Sequence, residues 1–162
     1  MNTTIDFNGN KTYFYVKFLP TAETGIRKAC EIGYETRNEN GELTEQEGSY
    51  TARGIGNQMI ALMMKADEYA ASYNANVTRY NVAGRDPATA TAEEKYNWEN
   101  QDRTLENGAK IVSCYLYAAK YLVHLAGQLD ESRNYQDMAP EKDIFMGVIK
   151  EALEAYNEVI FG

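Results

Sequence analysis

Hydrophobic and polar positions change period once along the chain, near Gly54. Before it they alternate. In NTTIDFNGNKTYFYVKFL, residues 2–19, Tyr13, Tyr15 and Lys17 interleave with Phe14, Val16 and Phe18, and Asn8-Gly9-Asn10 separates this run from an earlier one, which predicts a β-hairpin. Pro20 and Gly25 punctuate the chain, and residues 26–37 then place Cys30, Ile32, Tyr34 and Thr36 on one side at period two. The same stretch offers Ile26, Ala29, Cys30, Gly33 and Tyr34 at helical spacing. Asn40-Gly41 tips the reading to a strand, because both central positions of a type I′ turn need positive φ and this dipeptide tolerates it.

From Gly54 the period becomes three to four. Ile55, Met59, Leu62, Met63, Ala66, Tyr69, Ala70 and Tyr73 form the stripe of an amphipathic helix, and residues 74–87, NANVTRYNVAGRDP, read as a loop or a frayed extension of it. Thr91 followed by Glu94 is a capping box that opens the longest helical pattern, with Trp98, Leu105, Ala109, Val112, Leu116, Ala119, Val123 and Ala126 as its stripe and Gly127 near its stop. Gly108, inside that pattern, marks a close helix contact or a bend. Pro140 begins a third helix on which Ile144, Phe145, Val148, Ala152, Tyr156 and Val159 share a face. Strands first and helices afterwards predict one α+β domain over residues 1–162. An N-terminal antiparallel sheet of three or four strands (1–52) packs on a C-terminal three-helix layer (54–162).

Composition narrows the setting. A chain of 162 residues buries roughly two-thirds of the surface it exposes when unfolded, so neither a disulfide nor a metal is needed to hold it. Cys30 and Cys114 sit among apolar neighbours without C-x-x-C spacing and are expected to pack as thiols, in keeping with a reducing compartment. No apolar run is long enough for a membrane helix and the first residues lack a basic start followed by an apolar stretch, so a cytosolic, soluble protein is expected. With 24 carboxylates against 16 basic side chains the formal charge is −8, which disfavours direct binding to DNA or RNA and also serves solubility.

Candidate chemistry is sparse. His124 is the only histidine, which rules out a His-x-x-x-His pair, and no residue near it in sequence supplies the orienting partner that a general base requires. Gly54-Ile-Gly56 before a helix lacks the third glycine and the Lys-Ser/Thr of a phosphate cradle. The adjacent acids Asp67-Glu68, Glu93-Glu94, Asp130-Glu131, and Glu141 with Asp143 suit helix starts better than a convergent acid pair. Neither enzyme, cofactor nor metal is expected.

Two features remain unabsorbed. Thirteen tyrosines include the one-turn pairs Tyr69/Tyr73 and Tyr117/Tyr121, with Tyr115 nearby, and such rings serve a core boundary or a contact face equally well. The stretch GYETRNENGELTEQEGSY is densely acidic: from Glu31 to Glu47 six glutamates are opposed only by Arg37. On a two-residue turn Glu39 would face Glu42, a like-charge pair that destabilises a hairpin. The segment is then a charged edge strand that resists aggregation, or a negative finger for a basic groove. Glu151, Glu154 and Glu158 lie at spacings of three and four on one helical face and form a second acidic row, its carboxylates spaced much as successive phosphates are.

The leading expectation is a non-enzymatic acidic interaction protein. Its partner has a basic, nucleic-acid-handling surface, contacted by Glu35, Glu39, Glu42, Glu45, Glu47, Glu151, Glu154 and Glu158, and is inhibited or regulated by nucleic-acid mimicry. In composition the chain resembles the small acidic inhibitors that phages direct against host defence nucleases, a likeness of character that implies action in the host cytosol and carries no residues over. A second expectation is a small-molecule or nucleotide site at Arg79, Tyr80 and Arg85 in the 74–87 loop. The third is self-association through the apolar helices, with Met59, Met63 and Met64 as an adaptable contact face.

Overall fold

Alternation produces strands where it was read. The computed structural model describes residues 1–20 and 28–133, and for 129–133 the backbone alone. Strands β1 (Asn2–Phe7), β2 (Asn10–Phe18), β3 (Ala29–Arg37) and β4 (Leu43–Arg53) pair antiparallel in the order β1-β2-β3-β4. Two helices follow, α1 (Gly56–Arg79) and α2 (Ala92–Arg133), so the domain is α+β. The helix expected from Pro140 onward lies outside the described residues, among which two α-helices are seen rather than three.

Period two sends Ile5, Phe7, Phe14, Val16, Cys30, Ile32 and Tyr34 to one face of the sheet, where they are buried. Thr12 and Thr36 share that face on neighbouring strands and satisfy one another through a 3.0 Å hydroxyl contact. α1 covers β1 and β2 with Met59, Leu62, Met63, Ala66 and Ala70, while α2 covers β3 and β4 with Val112, Ala119, Leu122, Val123 and Ala126. Burying each large side chain of this set stabilises the fold by about 1.5–3 kcal/mol.

The opposite sheet face mixes charges across strands: Asp6 opposes Lys11, and Lys17 opposes Glu31. Tyr13 and Tyr15 pair on it with ring centroids 5.9 Å apart, and the Tyr15 hydroxyl lies over Gly33, where a Cβ would collide with it. That face is electrically balanced and carries no excess of acid.

Three local readings are corrected or resolved. The type I′ turn belongs to Asn8-Gly9, whose φ values are 53° and 77° and which joins Phe7 opposite Asn10. At Asn40-Gly41 only Gly41 has positive φ (79°); the connection runs over residues 38–42, with Gly41 N donating to Asn38 O and Asn38 N donating to Glu42 O. Glu42 therefore sits opposite Asn38, and the expected Glu39/Glu42 confrontation does not occur. Glu39 instead reaches the neighbouring turn, its side chain occupying the space a Cβ on Gly9 would need.

The second concerns 74–87, where of loop and extension Asn74–Arg79 take the extension and continue α1, because that end of the helix packs along α2. Tyr73 lies 3.4 Å from where a Gly108 Cβ would be, so Gly108 marks a close helix contact. Third, α2 does not stop at Gly127. It runs on to Arg133, and Gly127 is needed because the Tyr50 ring lies 2.5 Å from its missing Cβ. The N-cap half of the capping box forms, Thr91 Oγ1 accepting from Glu94 N at 3.1 Å, while the Glu94 carboxylate accepts from the Thr91 hydroxyl at 3.2 Å. At 1.5 Å per residue α2 spans roughly 60 Å, and its first half, exposed from Ala92 to Lys110 apart from partly covered positions, projects beyond the sheet.

Candidate functional site

The acidic hairpin resolves into two sets of carboxylates that the strand backbone separates. β4 carries extra residues relative to β3 at two places, between the Ile32 and Tyr34 pairings and between those of Thr36 and Arg37. The first shift lets Tyr50 and Glu47 both share the buried face of β3, opposite Ile32 and Tyr34, although three positions separate them. Glu45 follows, opposite Thr36. Without the extra residue Gln46 and Gly48 would face the helix layer, and both glutamates would point to the outer sheet face.

Facing inward, these glutamates meet α2. Lys120 Nζ donates to Glu45 Oε2 at 2.9 Å, and Tyr34 Oη donates to Glu45 Oε1 at 2.6 Å, with the ammonium 5.6 Å from the Tyr34 ring centre. One turn on, His124 Nδ1 lies 3.2 Å from Glu47 Oε1, and Gln128 Nε2 lies 3.2 Å from His124 Nε2. A neutral ring with its proton on Nδ1 satisfies both contacts. Three residues further Tyr50 covers Gly127. Lys120, His124 and Gly127 thus step along α2 as Glu45, Glu47 and Tyr50 step along β4, and the three contacts fasten the edge strand to the helix.

Protonation follows from this clamp. Partial burial of the Glu45 carboxyl works to raise its pKa, but the hydrogen bonds from Tyr34 and Lys120 and the ammonium charge outweigh it and hold the group below its ordinary value. Burial pushes the Tyr34 phenol well above its ordinary value, and the hydrogen bond and charge of Glu45, then the charge of Glu47, push it the same way. Burial likewise raises the Cys30 thiol to about 12, and that thiol is free, as is Cys114. Neither is a reactive thiolate.

His124 therefore has the orienting carboxylate that its sequence neighbours did not offer, supplied by Glu47 from 77 residues away. Among the described residues the hydrogen-bond partners of the imidazole are Glu47 and Gln128, and the ring is half-exposed. The geometry is that of a fastening.

The remaining hairpin acids lie elsewhere. Glu35 is on the outer sheet face, 3.7 Å from Arg37 Nε. Glu39 and Glu42 are exposed in the β3–β4 loop, and no described cation pairs with either. The loop itself is shaped by hydrogen bonds: Asn38 Oδ1 accepts from Asn40 N and Glu42 N, both at 3.0 Å, and Arg37 Nη1 donates to Gly41 O at 3.0 Å. Asn38 thus forms an Asx-type turn that holds the two glutamates on a defined backbone. Glu151, Glu154 and Glu158 lie outside the described residues.

The arginines of the expected ligand site are engaged. Arg85 is largely buried, pairs with Asp102 Oδ1 at 2.6 Å, donates to Gln101 Oε1 at 2.9 Å and stacks on Trp98 with its guanidinium carbon 5.5 Å from the ring centre. It ties the 80–91 connection to the start of α2. Arg79 lies over the Tyr80 ring at 5.0 Å. The depression between these elements, about 300 Å³, is lined by Asp86 and Glu94 as well as by Arg85, two carboxylates to one guanidinium. Of the tyrosines, Tyr117 is exposed and stacks on the partly covered Tyr121, and Tyr69 stacks on Tyr115.

Among the described residues no cluster of three or more histidine, cysteine or acidic side chains is placed to hold a metal ion, and no helix is long and apolar enough to cross a membrane. Comparison of the chain with family models, with curated proteins and with solved structures finds no match.

Proposed function

We propose that this chain is a non-enzymatic interaction protein that engages a basic, nucleic-acid-binding surface on a partner and inhibits or regulates it by presenting carboxylates where phosphates would lie. The observation that carries the reading is the β3–β4 loop. Glu39 and Glu42 stand exposed on a backbone fixed by Asn38 and Arg37, without a described cation, in a chain of net charge −8. A shaped loop loses little conformational freedom on binding, and unpaired carboxylates steer a basic partner toward it.

Glu45 and Glu47 contribute differently from the loop pair. The charge of Glu45 is partly spent on Lys120 and Glu47 accepts a hydrogen bond from His124, so their main effect is to hold the hairpin rigid against α2. Glu35 stands on the balanced outer face beside Arg37 and joins the reading as the weakest of the hairpin acids, and Glu151, Glu154 and Glu158 join it on their sequence spacing alone.

The test is capture from a cell lysate at low and at raised salt, run in parallel with the natural chain and with Glu39→Gln/Glu42→Gln. The reading expects nucleic-acid-handling proteins to be retained by the natural chain, released by salt, and displaced by competing DNA or RNA, with retention lost in the variant. Equal retention by both chains, or retained proteins without a basic surface, refutes it.

A further inference from the structure

Where α1 and α2 run side by side, they leave an open groove of about 320 Å³, lined among others by Tyr69, Tyr73, Asn76, Thr104, Asn107 and Gly108. Its size is at the lower end of clefts that hold small ligands. Three features give it a definite chemistry.

The first is its rings. Tyr69 is locked by stacking on Tyr115, with centroids 5.5 Å apart and planes 9° from parallel, and Tyr73 is locked edge-on against Phe7 at 5.2 Å. Both present fixed aromatic surface to the groove. The second is its amides. Asn76 and Asn107 line it from opposite helices, and no described residue exchanges a hydrogen bond with either side chain. Each amide supplies two donors and an acceptor, the pattern that matches the edge of a nucleobase. The third is neutrality: no charged side chain is among the lining residues, in contrast to the depression beside Arg85.

Gly108 opens the space. A Cβ there would meet the Tyr73 ring at 3.4 Å, so any longer side chain at 108 would compete for the groove. Glycine in the interior of a 42-residue helix is otherwise unfavourable, and here its smallness has a use.

We infer that the α1–α2 groove is a binding site for an uncharged planar heterocycle of the nucleobase or nucleoside class, resting against the Tyr69 and Tyr73 rings of α1 and read by the Asn76 and Asn107 amides. The inference is independent of the acidic loop, which lies in the sheet hairpin, and neither needs the other to hold.

The test uses the natural chain, labelled for amide and aromatic NMR, titrated to millimolar concentration with adenosine, guanosine, cytidine and uridine, and separately with glucose. The expected result is saturable shifts for at least one nucleoside, centred on the Asn76 and Asn107 side-chain amides and the Tyr69 and Tyr73 rings. Asn107→Leu should weaken that binding at least about tenfold, as loss of a hydrogen-bonded edge does, and Gly108→Leu should abolish it. Absence of saturable shifts with every nucleoside, shifts centred elsewhere, or saturation by glucose alone overturns the inference. If either variant fails to fold, the mapping on the natural chain still decides.

Discussion

Glu45 and Glu47 stand only a few residues from Glu39 and Glu42 in one hairpin, yet the two pairs live in different electrostatic settings. The strand pair is turned toward α2 and held by Lys120, Tyr34 and His124. The loop pair is exposed, without a described cation, on a backbone fixed by Asn38. Proximity in sequence therefore made one acidic segment out of two devices, a clamp and a free anionic tip. A carboxylate that already has a partner gains less from a second one, so the tip is where a basic surface would find unspent charge.

The comparison is most strongly tested where the clamp closes. Gly127→Ala places a methyl about where the Tyr50 ring now lies, 2.5 Å from its Cε2. Overpacking of this kind costs about 1–3 kcal/mol, of which the better helix propensity of alanine offsets up to about 1 kcal/mol, and chemical denaturation of the variant should show the net loss. Retention of full stability would mean that β4 is not fastened to α2 as described. A smaller loss is expected at the tip. Gly41→Ala has nothing within 4 Å to meet, so its whole cost is the positive φ of 79°, about 1 kcal/mol. An unchanged midpoint would contradict the five-residue loop.

Smaller still is the ion pair of the clamp. Lys120→Met should cost about 0.5 kcal/mol at neutral pH, since both partners are partly solvated and the pair is screened by salt. Its pH dependence has a fixed sign. The folded pKa of Glu45 is depressed, so its stabilising contribution is complete above the unfolded carboxylate value and is lost as pH falls through the lower folded value. Acid unfolding of Lys120→Met should accordingly show a shallower slope than that of the natural chain. Least affected should be Glu39→Gln/Glu42→Gln, whose stability is expected within about 0.5 kcal/mol of the natural chain. A larger loss would show that the loop acids are structural after all.

Sequence made the layers legible because burial imposes a period. Phe14 and Val16 in β2, Cys30, Ile32 and Tyr34 in β3, and Met59, Leu62, Met63 and Ala66 in α1 all fall on the buried face that their spacing marks. What stayed hidden depended on pairing between distant residues. Which Asn-Gly adopts the tight turn is decided by the register of the flanking strands: Phe7 opposite Asn10 leaves two residues at Asn8-Gly9, whereas Arg37 opposite Leu43 leaves five at 38–42.

The bulge in β4 is equally silent in the alternation pattern, and it alone turns Glu45 and Glu47 toward the helix. The His124–Glu47 contact joins positions 77 apart, and no local motif announces it. Polarity leaves Asn74–Arg79 open between a loop and an extension of α1. They stay helical through packing along α2, as tertiary contacts override weak local preference. The tip glutamates were named from sequence, but their separation from the clamp glutamates needed the register.

The most direct measurement is the dissociation constant for a captured basic partner as a function of salt, for the natural chain, Glu39→Gln/Glu42→Gln and Lys120→Met. The account predicts that the glutamine variant binds more weakly at low salt and has a flatter dependence on salt. Lys120→Met, which leaves the tip intact and adds no cation, should bind at least as tightly as the natural chain. Identical salt dependence in the natural chain and the glutamine variant would contradict the account.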